Sequence, residues 1–212
     1  MKVRWLGHSC FLVTNEKGGR LVTDPFDPSV GYPLPGVEAD VVTVSHEHHD
    51  HNYIEGLKEP EKARVLHGLQ MGPDELVEAA GFKVRAVATC HDDADGTRRG
   101  GNAVFVIEAD GARLAHLGDL GHEPTAAQYA QIGPVDGLLI PVGGYFTIDS
   151  DTAWRVARRI GARTVVAMHF KTDCMNFPIT DAETFARLAG GARRDADQIE
   201  IGKDEGVFIP KL

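Results

Sequence analysis

The sequence predicts an α/β sandwich, and two observations predict it: strand-length runs too apolar to face water on either side, and amphipathic helical segments interleaved with them. The chain opens on "KVRWLG", "CFLVTN" and "RLVTDPF", strand-like runs of which the last two are separated by the turn "EKGG", so a β-meander is expected. A loop rich in proline and glycine, "PFDPSVGYPLPGVEAD", leads to "VVTV". Further on lie "RAVAT", "AVFVIEA", "RLAHL", "GLLIPV" and "TVVAM", runs that need another sheet on one face and helices on the other. "SDTAWRVARRIGA" places Ala153, Val156, Ala157 and Ile160 at helical spacing, with Ser150 as a cap and Gly161 as the stop. "TDAETFARLAGG" has Thr180 and Glu183 at capping-box spacing, and "GPDELVEAAG" has Pro73 in a first-turn position and Gly81 at its end. Both are expected to be surface helices.

The 212 residues, 42% hydrophobic and 25% charged, fit one domain spanning 1–212, with no composition break or legible repeat. A net charge of -9 disfavours nucleic acid and other polyanions as partners. The amino terminus carries too short an apolar run for a secretory signal, and nowhere is there a run of about 20 apolar residues, so a cytoplasmic protein without a membrane partner is expected. Cys10, Cys90 and Cys174, odd in number and without a CxxC pair, are expected to be reduced, buried thiols. For self-association into a homo-oligomer there is only the base-rate expectation.

Four of the apolar runs end on the same kind of residue. "VVTV" leads to His46, "AVAT" to His91, "RLAHL" to Asp119 and "TVVAM" to His169. Loops at strand ends are where a rigid scaffold builds a site. Imidazole and carboxylate donors suit borderline divalent metals. His46, His48, Asp50 and His51 offer four such donors from one turn, too crowded for a single ion and suited to two neighbouring ions that share a bridge.

His46-x-His48-x-Asp50-His51 resembles the HxHxDH signature of the metallo-β-lactamase superfamily, and the later motifs follow in order with His91 in "TCHDD", Asp119 in "HLGD" and His169 in "MHF". The resemblance covers nearly the whole chain. It implies an αββα sandwich with the site at one edge of the paired sheets. It implies further that His46, His48 and His91 hold one metal and Asp50, His51 and His169 another, bridged by Asp119. The "GHSCFLV" start and the "HDDADGTRRGGN" segment resemble a small branch of metal-dependent hydrolases and, more distantly, ascorbate-6-phosphate lactonase.

The expected function is that of a dinuclear metal-dependent hydrolase, in which a metal-bound hydroxide attacks a small ester-like, lactone or phosphodiester substrate. Zinc is the first expectation for the two divalent ions; manganese, iron, nickel and cobalt suit the same donors. Asp50 is read as the catalytic residue, either ligand and proton acceptor together or ligand alone. Asp24 is read as the support of a ligating histidine or as a local turn with Pro25. His8 and Ser9 either face the site or are structural, and His122 is a candidate to meet substrate or move a proton. Arg98, Arg99 and Lys171 flank the candidate ligands, where an exposed basic residue is as ordinary as an anion contact. His49 is expected to face solvent or pack, and His67 and His116 to be satisfied edge or interior histidines. Two rival functions stay open: an iron-dependent oxidoreductase on the same fold, and a non-catalytic metal-binding sensory module.

Overall fold

The computed structural model describes every residue except Asp195, Asp197 and Leu212. In chain order the strands and helices are β1 (Lys2–Gly7), β2 (Cys10–Thr14), β3 (Arg20–Thr23), β4 (Val41–Val44), β5 (Arg64–His67), β6 (Val77–Ala79), β7 (Phe82–Cys90), β8 (Gly101–Ala109), β9 (Ala112–His116), α1 (Ala126–Ile132), β10 (Gly137–Pro141), α2 (Ser150–Ile160), β11 (Thr164–Met168), α3 (Glu183–Leu188), β12 (Ile199–Glu200) and β13 (Gly206–Phe208). They form two mixed sheets, ordered β12-β1-β2-β3-β4-β5 and β13-β11-β10-β9-β8-β7-β6. α1 packs on β7 and α2 on β10 and α3, which covers the outer face of the second sheet. This is the metallo-β-lactamase sandwich. Among the described residues no helix is long and apolar enough to cross a membrane.

Burial follows position in the sheets. β10 and β11, with neighbours on both sides and helices above, bury every residue. β1 alternates exposed and buried residues over its first half, as expected of an antiparallel strand with one wet face. Between the sheets lie Phe11, Leu21, Phe105, Ile107 and Leu114, all essentially without solvent contact. Each such side chain, fully buried, contributes roughly 1.5–3 kcal/mol of transfer free energy.

Strand direction decides where loops gather. β1, β3 and β4 run the same way, because β2 is antiparallel to both β1 and β3 while β4 is parallel to β3. β7, β9, β10 and β11 likewise share one direction in the second sheet. At one end the sheets are tied together: His169 N–H donates to His8 O (3.2 Å), Ala103 N–H to Ser45 O (3.0 Å), and His116 Nε2 bonds Ser9 O (2.8 Å). The carboxyl ends of both sets of strands therefore meet at one edge.

Four local expectations are corrected. "GPDELVEAAG" is not a helix; it gives the short strand β6, paired antiparallel to β7. Ala80 and Gly81, both at left-handed φ (48° and 82°), form the tight turn, and Val77 opposite Val84 supplies the buried contact that a lone surface helix would lack. α2 is capped by Asp149, which accepts from Thr152 N–H (2.8 Å), while Ser150 Oγ donates to Val142 O. α3 has no side-chain cap, since Thr180 Oγ1 donates instead to Gly143 O (3.0 Å). The thiols are unpaired as expected, but only Cys10 is buried and Cys174 is exposed.

Candidate metal centre

Six strand ends deliver the site. His8 follows β1, Asp24 follows β3, Ser45 and His46 follow β4, His91 follows β7, Asp119 comes three residues after β9, and His169 follows β11. The turn after β4 adds His48, Asp50 and His51. Candidate donor atoms lie within 4.8 Å of one another in three groups: His46, His48 and His91; His8, Asp50, His51 and His169; and His46, His51 and Asp119. The Asp119 carboxylate stands between the first two groups, with Oδ2 3.2 Å from both His91 Nε2 and His169 Nε2 and Oδ1 3.2 Å from His51 Nε2. All seven residues singled out as ligands are thus gathered at one place.

Hydrogen bonding around the cluster fixes which ring nitrogens are free. Asp24 is completely buried and accepts from Ser45 N–H (2.8 Å), Ser45 Oγ–H (2.5 Å) and His51 Nδ1–H (2.8 Å). Because Ser45 spends its hydroxyl proton on Asp24, its oxygen accepts from His46 Nδ1–H (2.9 Å). Both imidazoles are then Nδ1-protonated and carry a lone pair on Nε2, the usual way a carboxylate orients a ligating histidine. The turn alternative for Asp24 is set aside by these contacts.

A divalent ion fits this arrangement. His46 Nε2, His51 Nε2, His169 Nε2 and Asp119 Oδ1 are buried atoms without a hydrogen-bond partner among the described residues. Lone pairs facing each other at 3.2 Å repel unless a proton or cation lies between them, and an orphaned buried acceptor costs about 1–3 kcal/mol. The same demand appears in the acid–base balance. Burial opposes charge on His51, but the carboxylates of Asp119, Asp50 and Asp24 outweigh it and lift its pKa well above the ordinary imidazole value. Asp119 moves the other way: burial raises its pKa, while His169 and His51 together hold it well below the carboxylate range. His46, desolvated by burial and repelled by His51, falls to about 3 and so is neutral, as a ligand must be.

The remaining residues divide. His8 faces the site: Nε2 bonds Asp50 Oδ2 (3.2 Å) and its ring lies 4.2 Å from that of His169. Burial first, then His169, lowers its pKa to about 4. His122 does not face the site. Its Nε2 accepts from Cys90 N–H (3.1 Å), bracing the backbone before His91, and Nδ1 donates to Glu123 O (2.9 Å), so neither nitrogen is free for substrate. Lys171 donates to Phe177 O (2.9 Å), His67 pairs with Glu47 at the edge (2.7 Å), and His116 is a satisfied interior histidine that also accepts from Gly118 N–H. His49 is exposed.

Sequence reasoning missed Ser45, Asp92 and Asn102. Asn102 Oδ1 accepts from Asp119 N–H (2.8 Å) while Nδ2 donates to Thr89 Oγ1 and Leu117 O, which locks the turn that presents the bridging carboxylate. That turn needs Gly118: φ is +54°, and a Cβ there would stand 2.3 Å from Asn102 Oδ1. Asp92 accepts from the N–H groups of Ala94, Gly96, Arg98 and Arg99, folding the loop after His91 around itself. Burial raises its pKa, but these donors prevail and hold it at about 2. Asp92-x-Ala94-x-Gly96 carries the Asx-turn signal that would have found it.

A cavity of about 400 Å³ opens over the cluster, lined by His48, His49, Asp50, His91 and Asp119 and by Arg98, Arg99, Phe146 and Phe177.

Comparison with known proteins agrees with this fold. Residues 2–169 match the family model described as the beta-lactamase superfamily domain. A UPF0173 metal-dependent hydrolase from Methanoregula boonei is 33% identical over 99% of this chain and 94% of its own, and one from Thermococcus onnurineus is 31% identical over 90% and 92%. A crystal structure from Thermotoga maritima, assigned to the metallo-β-lactamase superfamily and suggested to be a Zn-dependent hydrolase, superposes with a TM-score of 0.79 at 36% identity, covering 99% of this chain and 97% of that one. The chain therefore belongs to the metallo-β-lactamase superfamily and, within it, to the UPF0173 metal-dependent hydrolase family.

Proposed function

We propose that this protein is a dinuclear metal-dependent hydrolase acting on a small ester-like, lactone or phosphodiester substrate. The observation that carries the reading is the pair of buried, unpartnered Nε2 atoms, of His51 and His169, facing the two oxygens of Asp119. His46, His48 and His91 would hold one ion, Asp50, His51 and His169 a second, with Asp119 between them; zinc is the first choice for both. Bound divalent ions lower the pKa of water from about 15.7 towards about 7 and polarise the substrate oxygen.

The chain's own residues do the rest. Asp24 and Ser45 hold the Nδ1 protons of His51 and His46, so their Nε2 atoms stay aimed at the centre. Asp50 is ionised, because His51 and His8 outweigh the effect of its burial. His8 occupies one of its oxygens, Oδ2, which leaves Oδ1 to orient water and accept its proton. His48, exposed and part of the cavity lining, is open to substrate. Both sheets supply site residues, which supports treating 1–212 as one hydrolase domain. The cavity suits a small molecule better than a polymer.

Elemental analysis of the native protein, followed by a panel of phosphodiester, lactone and thioester substrates, tests the reading. Two ions per chain, with turnover lost to chelator and restored by zinc, are expected. Full turnover after proven metal removal refutes it. An iron chromophore with oxygen-dependent turnover would move the protein to the oxidoreductase class.

A further inference from the structure

The cavity lining bears a cation that no carboxylate among the described residues neutralises. Arg99 is half-buried, and among the described residues its guanidinium makes no ion pair or side-chain hydrogen bond. Neighbouring Arg98 differs: it is largely exposed and pairs with Asp93 Oδ1 at 2.9 Å. Both backbone N–H groups are fixed by Asp92 Oδ2, at 3.0 Å for Arg98 and 2.7 Å for Arg99, but the Arg99 guanidinium lies over the Phe146 ring, 5.6 Å from the centroid. Stacking on a ring face leaves the N–H edge of a guanidinium open for two parallel bonds to an oxyanion. Phe177, edge-on to Phe146 at 6.0 Å and to His8 at 5.7 Å, continues the apolar wall down to the cluster. Its position is held from behind by Lys171, which donates to its carbonyl.

Resting on the hydrolase reading, we propose that Arg99 is a specificity-determining residue, and that the substrate is a small ester or lactone carrying a second, non-reacting oxyanion, carboxylate or phosphate, joined to the reacting group through an apolar or planar stretch. The reacting group meets the floor of the cavity, the apolar stretch lies along Phe146 and Phe177, and the distal oxyanion takes the guanidinium edge. In a chain with a net charge of -9, Arg99 adds a local positive charge that favours anions at the cavity, beside the ions of the proposed centre.

The test compares phenylphosphonate with 4-carboxyphenylphosphonate and benzene-1,4-diphosphonate, using calorimetric titration of the metal-loaded wild type, Arg99→Gln, Arg99→Lys and Arg98→Gln. A distal oxyanion is expected to tighten binding by about tenfold or more in the wild type. Arg99→Gln should abolish that gain, Arg99→Lys should keep part of it, and Arg98→Gln should keep it all. The larger gain of the two diacids identifies carboxylate or phosphate. No gain in the wild type, or a gain that survives Arg99→Gln, overturns the proposal. Among the described residues the Arg99 guanidinium has no ion pair or side-chain hydrogen bond to lose, so the variants should melt with the wild type. Because the readout is the difference between wild type and Arg99→Gln, it is obtained even from a protein that proves to bind one ion or to lack turnover. That outcome would overturn the dinuclear hydrolase reading alone.

Discussion

The inner and outer halves of the donor cluster are built differently. The inner half, His8, Asp24, His51 and His169, has no solvent contact, and three of its members, His8, Asp24 and His169, sit at left-handed φ (51°, 40° and 50°) immediately after strands. A non-glycine residue held there costs on the order of 1–3 kcal/mol and persists only where surrounding structure over-determines it. The outer half, His46, His48 and His91, includes the exposed His48 and borders the cavity. Rigidity and desolvation on one side and access on the other are what a centre needs that must keep its ions while admitting substrate. The inner half is accordingly tied to folding stability, and the outer half to ligand exchange.

The sharpest way to break this comparison is to cut the inner half at its brace. Asp24→Ala leaves His51 Nδ1–H, Ser45 N–H and Ser45 Oγ–H without an acceptor in a dry interior. Removing one partner of such a buried pair costs about 3–5 kcal/mol. Urea unfolding should register that loss in full; a cost no greater than that of an outer-half substitution would abolish the distinction.

Removing the ions comes next in size. The facing lone pairs at 3.2 Å around Asp119 are relieved by a bound cation, so the loaded protein should be the more stable. With free ion a thousandfold above its dissociation constant the difference is about 4 kcal/mol. Differential scanning calorimetry with and without chelator measures it. An unchanged melting temperature after verified metal removal would mean that the inner half is self-sufficient.

His48→Ala sharpens the comparison from the other side. The residue is exposed, so unfolding stability of the metal-free protein should stay within about 0.5 kcal/mol of the wild type. Metal analysis should nevertheless show the outer ion lost, with turnover, while the inner ion stays. Asp119→Ala, which removes the shared carboxylate, should lose both. Retention of two ions in His48→Ala would remove this histidine from the ligand set.

The donors and their supports were unequally legible in the sequence. His46, His48, Asp50 and His51 sit in one run, "HEHHDH", and His91, Asp119 and His169 each follow an apolar strand, so local pattern sufficed. The supports were hidden because their partners are far along the chain. Asn102 reaches Asp119 from seventeen residues away, and the His116 bond to Ser9 O spans 107. His122 looked functional because it stands three residues after Asp119, yet its backbone partner Cys90 lies thirty-two residues back. β6 was mistaken for a helix because its helical local pattern yields to edge pairing with β7, a tertiary effect no window reveals. α1 was overlooked although Thr125 and Gln128 form a full capping box.

The smallest expected effect separates acid sensitivity of the surface from that of the site. Glu38 is held at about 2, against a usual 4.5, by Lys58 first (2.8 Å) and Arg20 second (2.6 Å), on a part of the first sheet remote from the cavity. Because the folded pKa lies below the unfolded one, the stabilisation is complete above about pH 4.5 and is lost as pH falls towards 2. The group is exposed, so the contribution is modest and screened by salt. Glu38→Gln should therefore flatten the stability profile slightly between pH 4.5 and 2 at low ionic strength and leave it unaltered in molar salt. In molar salt, which also screens partly exposed carboxylates such as Asp40 and Glu200, what remains of the acid slope in this variant belongs to buried carboxylates such as Asp24 and Asp119. A slope that vanishes entirely in Glu38→Gln would assign the acid sensitivity to the surface and strip the inner half of its place in folding stability.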